Sequence, residues 1–330
     1  MRRALLFIAL AGCGFRIGAG SVAPADGASD SLDSDGGDDA PIDTPLAIDA
    51  AIDGPPPPPT CYDRWLDNTI RFGNPALIGN VNSTSFERDP FLSADELTLY
   101  FSTARVGSQG GDIWIASRSS LTSSFGTPTR FAPFSTAGNE TKASITANGL
   151  YAVIGSDQAG GAGGVDVWES TRTSTSVAWS ALVRTRVMMV DTAASDHDPM
   201  ISADGLHVYA APSAPGAQHI VVASRTNVNA SFGAPVTIID SGANDGDPSV
   251  TPDERILVFY SGRTGAGFSG GNIWYATRAN ATAAWGTPRP VPDVNTNNND
   301  GDPHLSTDGC RLYFGRDGGQ DWDLYVTTAQ

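Results

Sequence analysis

Phe72-Gly73-Asn74-Pro75 decides the fold, because it returns. It reappears as Phe125-Gly126-Thr127-Pro128, Phe232-Gly233-Ala234-Pro235 and Trp285-Gly286-Thr287-Pro288, with a degenerate copy opening at Trp179-Ser180. The aromatic positions 72, 125, 179, 232 and 285 define a period of about 53 residues, and a fixed period in this range marks a repeat architecture. A second marker keeps the same spacing: acidic or polar, then aliphatic, then usually aromatic. Its copies are Asp112-Ile113-Trp114, Asp166-Val167-Trp168, His219-Ile220-Val221, Asn272-Ile273-Trp274 and Asp323-Leu324-Tyr325.

Between the markers lies one unit. A short strand starts at Asp89-Pro90 and runs into Ser93-Ala94-Asp95-Glu96, a tight turn whose Ser and Asp side chains can bond backbone amides. Residues 97–101 form the next strand, and a Gly-rich loop over 105–111 leads to a third, Asp112–Ser117. Phe125-Gly126-Thr127-Pro128 then opens an outer strand, where Pro is tolerated because an edge has free N–H positions. The turn recurs as Thr146-Ala147-Asn148-Gly149, Ser202-Ala203-Asp204-Gly205, Thr251-Pro252-Asp253-Glu254 and Ser306-Thr307-Asp308-Gly309. No stretch sustains a helical spacing of apolar residues. Four-stranded antiparallel units repeated radially make an all-β fold, the β-propeller.

Five units enter near residues 89, 142, 198, 247 and 302, and the last stops at Gln330, just after its third strand. The outer-strand marker at Phe72 precedes any complete unit. The N-terminal strand is therefore expected to complete the last blade, which removes an exposed sheet edge. The count closes at five blades; a sixth would need a degenerate repeat, and residues 14–60 have no strand pattern. Cys61 sits just upstream of the orphan strand, and Cys310 starts the second strand of the blade it should complete. Two readings stand: a disulfide stapling the ring, which needs Cα atoms within about 7 Å, or two separate buried thiols.

Residues 1–13 read as an export signal, with Arg2-Arg3 as the positive end and an apolar stretch from Ala4 to Ala11. Leu10-Ala11-Gly12-Cys13 resembles the bacterial lipobox, which implies lipidation of Cys13 and anchoring by lipid alone. Gly14 follows where enteric lipoproteins retained at the inner membrane carry Asp, so the outer membrane is expected, with the protein facing the periplasm or the cell surface. Residues 14–60 hold nine Asp against one Arg and end in Pro55 to Pro59. Such a segment cannot offset its ordering entropy and reads as a tether. Its proline run forms a rod about 15 Å long. The propeller is expected over 61–330.

Two columns of charged residues precede and open each first strand: Glu87/Asp89, Glu140/Lys142, Asp196/Asp198, Asp245/Asp247 and Asp300/Asp302, with His197 and His304 beside them. First strands line a propeller's channel, so equivalent positions are expected to form rings near one mouth. Crowded carboxylates raise some pKa values or recruit a cation, and oxygen-rich sites suit Ca²⁺. The competing reading is that each carboxylate ties down its own turn by bonding backbone amides; recurrence in every blade favours it. No catalytic residue is assigned: Gly267-Phe268-Ser269-Gly270-Gly271 lacks the strand-then-helix setting of a nucleophile elbow, Gly160 to Gly164 is not followed by Lys-Ser/Thr, and Glu96, Glu169 and Glu254 form no acid/base pair.

The pattern Asp-Pro-x-x-Ser-x-Asp-Gly-x-x-Leu-Tyr-Phe, followed by Gly110-Gly111-Asp112-Ile113-Trp114, resembles the WD40-like repeat called PD40, found in the propeller of TolB and in many bacterial envelope proteins. Arg278, Trp285-Gly286-Thr287-Pro288 and Val294-Asn295-Thr296 look like the longer periplasmic form. The resemblance covers residues 66–330 and implies a TolB-like propeller. TolB's N-terminal α/β domain and the peptidoglycan-binding domain of the longer relatives have no counterpart in the sequence, so their roles are not carried over. The net charge of −16 argues against nucleic acid, which demands a basic footprint. The expected function is a monomeric, lipid-anchored envelope module that binds or scaffolds a protein or glycan; the alternative is a hydrolase or lyase acting on polysaccharide in the channel.

Overall fold

In the computed structural model, residues 58–330 are described except Met189, Ala214, Pro215 and Ala266, so Cys13, the expected signal and nearly all of the tether lie outside the described residues. The described chain begins with a short helix, α1 (Cys61–Leu66), and a two-residue strand, β1 (Ala76–Leu77). The first blade is β2 (Glu87–Leu92), β3 (Thr98–Thr103), β4 (Asp112–Ser117) and β5 (Thr129–Arg130). The second is β6 (Glu140–Ile145), β7 (Tyr151–Ser156) and β8 (Asp166–Thr171); the third is β9 (Asp196–Ile201), β10 (His207–Pro212), β11 (Ile220–Ser224) and β12 (Val236–Ile239). The fourth is β13 (Asp245–Val250), β14 (Ile256–Ser261), β15 (Asn272–Thr277) and β16 (Arg289–Pro290). The fifth is β17 (Asp300–Leu305), β18 (Arg311–Asp317) and β19 (Trp322–Thr328), completed by β1 through Ala76↔Val326 and Leu77↔Tyr325. The innermost strands β2, β6, β9, β13 and β17 contact one another in turn, and β17 returns to β2, which closes a five-bladed propeller.

The recurring residues hold recurring bonds. In each turn a hydroxyl and an Asx side chain cap the backbone: Ser93 Oγ donates to Asp95 Oδ1 (2.5 Å), which accepts from the Leu97 amide (3.0 Å). The outer strand is fixed by the small residue after each aromatic marker. The amides of Gly73, Gly126, Ser180, Gly233 and Gly286 donate to the carbonyls of Thr328, Ser117, Thr171, Ser224 and Thr277, at the end of each third strand. A Cβ on Gly286 would come within 3.0 Å of that carbonyl, which accounts for glycine there. In the second blade Ser180 makes the bond, but the outer strand shrinks to a single bridge, Glu169↔Val183.

An arginine one residue past the third strand locks turn to outer strand. Arg118, Arg172, Arg225 and Arg278 donate through Nε to the carbonyls of Glu96, Gly149, Gly205 and Glu254, and lie 4.2–4.6 Å over Phe125, Trp179, Phe232 and Trp285. The fifth blade has no such arginine. Its turn carbonyl, Gly309 O, accepts instead from Trp65 Nε1 on α1 (2.9 Å).

Six residues are too few to show helical spacing, so α1 is absent from the sequence reading. Its signature is local: Thr60 and Asp63 cap each other and each other's backbone. Trp65 is fully buried among Phe72, Tyr275 and Phe314 at the junction of the fourth and fifth blades. Cys61 and Cys310 form a disulfide with Cα atoms 5.2 Å apart. Among the described residues no helix is long and apolar enough to cross a membrane.

Two substitutions test the clasp. Trp65→Ala should cost about 3–5 kcal/mol of unfolding free energy, and Cys310→Ser about 2–5 kcal/mol, read from urea midpoints under oxidising conditions. A midpoint unchanged in both variants would show that ring closure does not limit stability.

Candidate functional site

The two carboxylate columns part company. Glu87, Glu140, Asp196, Asp245 and Asp300 have side chains buried inside their own blades. Each accepts the amide of the residue four positions earlier: Ser83, Thr136, Thr192, Ser241 and Thr296. Three also meet an arginine of their own blade: Glu87 with Arg105 (2.7 Å), Asp245 with Arg263 (2.8 Å) and Asp300 with Arg316 (2.5 Å). This column pins the loop into each blade, and none of it lines the channel-mouth cavity.

The second column is turned by a bulge. In β2 the register slips between Arg88 and Phe91, and the same slip recurs in the other four innermost strands. Asp89, Asp198, Asp247 and Asp302 sit at the slip with φ of 55, 57, 52 and 50°, a left-handed conformation that Asp tolerates better than most residues. Alternation along a regular strand would keep this column on the same side as the first; the extra residue breaks that rule. The fifth position is Lys142, fully buried, whose Nζ crosses from the second blade to donate to Pro248 O on the fourth (3.0 Å).

Around this ring the charges are tightly coupled. Asp89, Asp247 and Asp302 each offer an oxygen within 4.8 Å of the others. Arg88 grips both oxygens of Asp302 (3.0 and 3.3 Å), while the Asp302 amide donates to Asp247 Oδ2 (3.0 Å). Burial pushes Asp89 up to about 7, with Asp302 adding to it, and pushes Asp198 up to about 6, with Asp89 adding. Asp247 is raised by burial and by Asp198. Burial acts on Asp302 too, but the Arg88 guanidinium outweighs it and holds Asp302 below the ordinary carboxylate range.

Above the ring opens a cavity of about 440 Å³. Asp89, Asp198 and Asp247 contribute to its lining, together with His197 and Thr141. Its rim adds Arg88, Trp322, Tyr260, Gln218, Asn244 and Asn299, and Arg88 lies 4.3 Å over the Trp322 ring. These six and Thr141 are the residues that sequence reasoning missed as a site. Trp322 departs from the third-strand pattern, and Arg88, Tyr260 and Gln218 each occur once; Asn244 and Asn299 recur with Asn139 just before the first carboxylate, where each accepts a loop amide, from Gln218, Gly271 and Gly111 respectively.

The other predicted residues lie elsewhere. His304 lines the opposite end of the channel with Phe91 and Met200, its ring 4.8 Å from Phe91. Glu169 is buried and bonded to Arg186 (3.0 Å), and Glu96 and Glu254 pair across blades with Arg311 and His207. Ser269 stands in a loop between β14 and β15 with no helix after it.

The arrangement defines a five-bladed propeller with a polar, acid-floored cavity at one channel mouth. No protein-family model matches the chain, and no curated protein matches it. Solved propellers do. TolB from Acinetobacter baumannii aligns at 12% identity with a TM-score of 0.45, over 76% of this chain and 56% of that one. The catalytic domain of a GH62 α-L-arabinofuranosidase from Coprinopsis cinerea aligns at 15% identity and 0.51, over 79% and 96%. An α-L-arabinofuranosidase from Lactobacillus brevis aligns at 12% and 0.51, over 76% and 92%. The chain spans little more than half the length of that TolB. At these identities the likeness shows the fold alone, and propellers host many unrelated activities.

The buried imidazole of His304 gives the channel an acid-sensitive element. Burial, with Lys142 adding to it, lowers its pKa to about 3, and its Nδ1 has no partner among the described residues. The unfolded chain takes up a proton near pH 6.5, so this residue's contribution is intact above that pH and lost as pH falls toward 3. His304→Phe, stacked beside Phe91, should therefore lose about 2–3 kcal/mol less than the parent between pH 7 and pH 4.5. Parallel losses in parent and variant, read by urea titration at each pH, would refute this.

Proposed function

We propose that this chain is an envelope β-propeller of the PD40 type that binds the end of a glycan in the channel-mouth cavity, as a monomer and without turning it over. The observation that carries the reading is the cavity lining. Carboxylates and the carboxamides of Gln218, Asn244 and Asn299 match the paired hydroxyls of a sugar. Trp322, with Arg88 over its ring, adds an aromatic surface to the lining against which the aliphatic part of a sugar can pack. A volume of about 440 Å³ suits a small ligand rather than a protein surface.

The envelope setting draws on other features. The Cys61–Cys310 disulfide belongs in an oxidising compartment. The lipobox at Cys13, Gly14 and the acidic tether support a lipid-anchored protein of the outer membrane. Membership of the PD40 family is supported by the recurring turn and by Gly110-Gly111-Asp112-Ile113-Trp114 with its variants Gly163-Gly164-Val165-Asp166-Val167-Trp168 and Gly270-Gly271-Asn272-Ile273-Trp274.

A second reading, a hydrolase or lyase acting on polysaccharide, is favoured by one observation: Asp89 and Asp302 are pushed to opposite sides of the ordinary carboxylate range. Against it, both Asp302 oxygens are engaged by Arg88.

Titration with envelope and plant oligosaccharides separates the readings. Binding should weaken at least tenfold, a loss of about 1.4 kcal/mol or more, in Arg88→Ala and Trp322→Ala, with no product formed. Release of new sugar ends that disappears in Asp89→Asn would replace the binding module with the enzyme.

A further inference from the structure

A second acidic cluster lies away from the channel, where the second and third blades meet. Asp166 opens β8, Asp196 opens β9, and Asp191 stands in the loop between them. Each offers an oxygen within 4.8 Å of the other two, and all three side chains are fully buried. Asp166 accepts from the amides of Ala162 (3.0 Å to each oxygen) and Gly163 (3.3 Å). Asp191 accepts from the Val167 amide (2.8 Å) and from Arg184 (2.6 Å), which also reaches Asp166 (3.5 Å). Asp196 Oδ2 accepts from the Thr192 amide (2.6 Å), but its Oδ1, though buried, has no partner among the described residues. Three carboxylates thus share one arginine.

The repeat shows that this surplus is local. In the other four blades, the residue opposite the equivalent carboxylate donates to it. Thr103 serves Glu87 (3.0 Å), Ser156 serves Glu140 (2.8 Å), Ser261 serves Asp245 (2.5 Å) and Arg316 serves Asp300 (2.5 Å). Opposite Asp196 stands Pro212, which has no proton to give. A second departure falls at the same spot. Asn82 and Asn295, each five residues before the blade's first carboxylate, bond both the amide and the carbonyl of a third-strand residue, Leu324 and Ile273. The same offset holds Ser135 in the second blade and an exposed Asp240 in the fourth; here it holds Asp191, whose buried side chain keeps the amide bond and turns an acceptor where the asparagines turn a donor. One change removes a donor, the other adds a negative charge, and both face the same space. The glycine loop beside them packs backbone directly on the cluster: a Cβ on Gly161 would sit 1.9 Å from Asp166 Oδ2.

We propose that Asp166, Asp191 and Asp196 hold one Ca²⁺ between the second and third blades. All donors are oxygen, the set a hard divalent cation takes. The net charge of three carboxylates and one guanidinium is balanced by a single divalent ion, and the orphaned Asp196 Oδ1 acquires a partner. Of the nine carboxylates in the two columns, Asp196 alone belongs to this site, which is independent of the channel-mouth cavity and of what binds there.

The test uses the full chain, stripped with EDTA and then returned to Ca²⁺. Elemental analysis should find one Ca²⁺ per chain, and the melting temperature should fall on stripping and recover on addition. Asp191→Asn restores the residue present at 82 and 295, so it should fold, hold no Ca²⁺, and melt at the same temperature with or without EDTA. Pro212→Ser, which supplies the missing donor, should weaken Ca²⁺ binding at least tenfold and covers the case in which Asp191→Asn fails to fold. A parent chain with no bound Ca²⁺ and a melting temperature indifferent to both treatments would overturn the proposal. So would Ca²⁺ retained by Asp191→Asn and Pro212→Ser but lost in Asp247→Asn, which would place the ion in the channel ring.

Discussion

The hydrogen bond from Trp65 Nε1 to Gly309 O is the contact on which the ring depends. Four blades join their turn to their outer strand through an arginine that the chain supplies one residue past the third strand. In the fifth blade Ala329 stands at that position, and the outer strand comes from the N-terminal segment. An indole on α1 makes the bond instead, and the adjacent cysteine ties the same turn covalently at Cys310. Closing a ring brings together segments far apart in sequence, which carries a large loop-closure entropy. Burying Trp65 against Phe72 and Tyr275 offsets it with apolar contact at the seam.

Closure in turn fixes the channel. The four aspartates at the strand bulges are held in a left-handed backbone conformation that is costly by itself. Three of them are held by neighbours: Ser102 on Asp89, the Asp302 amide on Asp247, Arg88 on Asp302. Five aspartates in such a ring would repel strongly. One position is Lys142 instead, and its ammonium reaches from the second blade to donate to the fourth blade's Pro248 carbonyl. The cavity floor is therefore acidic yet partly compensated, and its carboxyls are shifted in opposite directions, Asp89 and Asp198 upward by burial and Asp302 downward by Arg88.

Much of the fold was legible because each recurring residue type makes one recurring bond. The Gly of the aromatic marker reads as a close approach to a carbonyl, the Ser and Asp of the turn as a capped bend, and the orphan marker at Phe72 as the last blade's missing strand. What the sequence hid was direction. Glu87 and Asp89 are two residues apart and belong on one side of a regular strand, so the bulge that separates them cannot be seen from spacing. The helix α1 was hidden by brevity. The cavity rim was hidden because Arg88, Tyr260 and Trp322 each occur once, and a repeat analysis weights what recurs.

The departures from the repeat are where chemistry concentrates. A position that recurs in all five blades is under a packing constraint common to all, and the first carboxylate column, bonded inside each blade, is such a case. Function is needed in one place and breaks the symmetry. Arg88 stands where the other blades carry Thr141, His197, Gly246 and Gly301, and it both pairs with Asp302 and builds the cavity wall with Trp322. Pro212 and Asp191 break the pattern together, leaving a buried carboxylate oxygen that the other blades satisfy. An isolated lapse of that kind would be strongly destabilising, because a buried charge without a partner forfeits its hydration. Two lapses that converge on one pocket, one by withdrawing a donor and the other by adding an acceptor, are more economically explained by a cation that the pocket is shaped to receive.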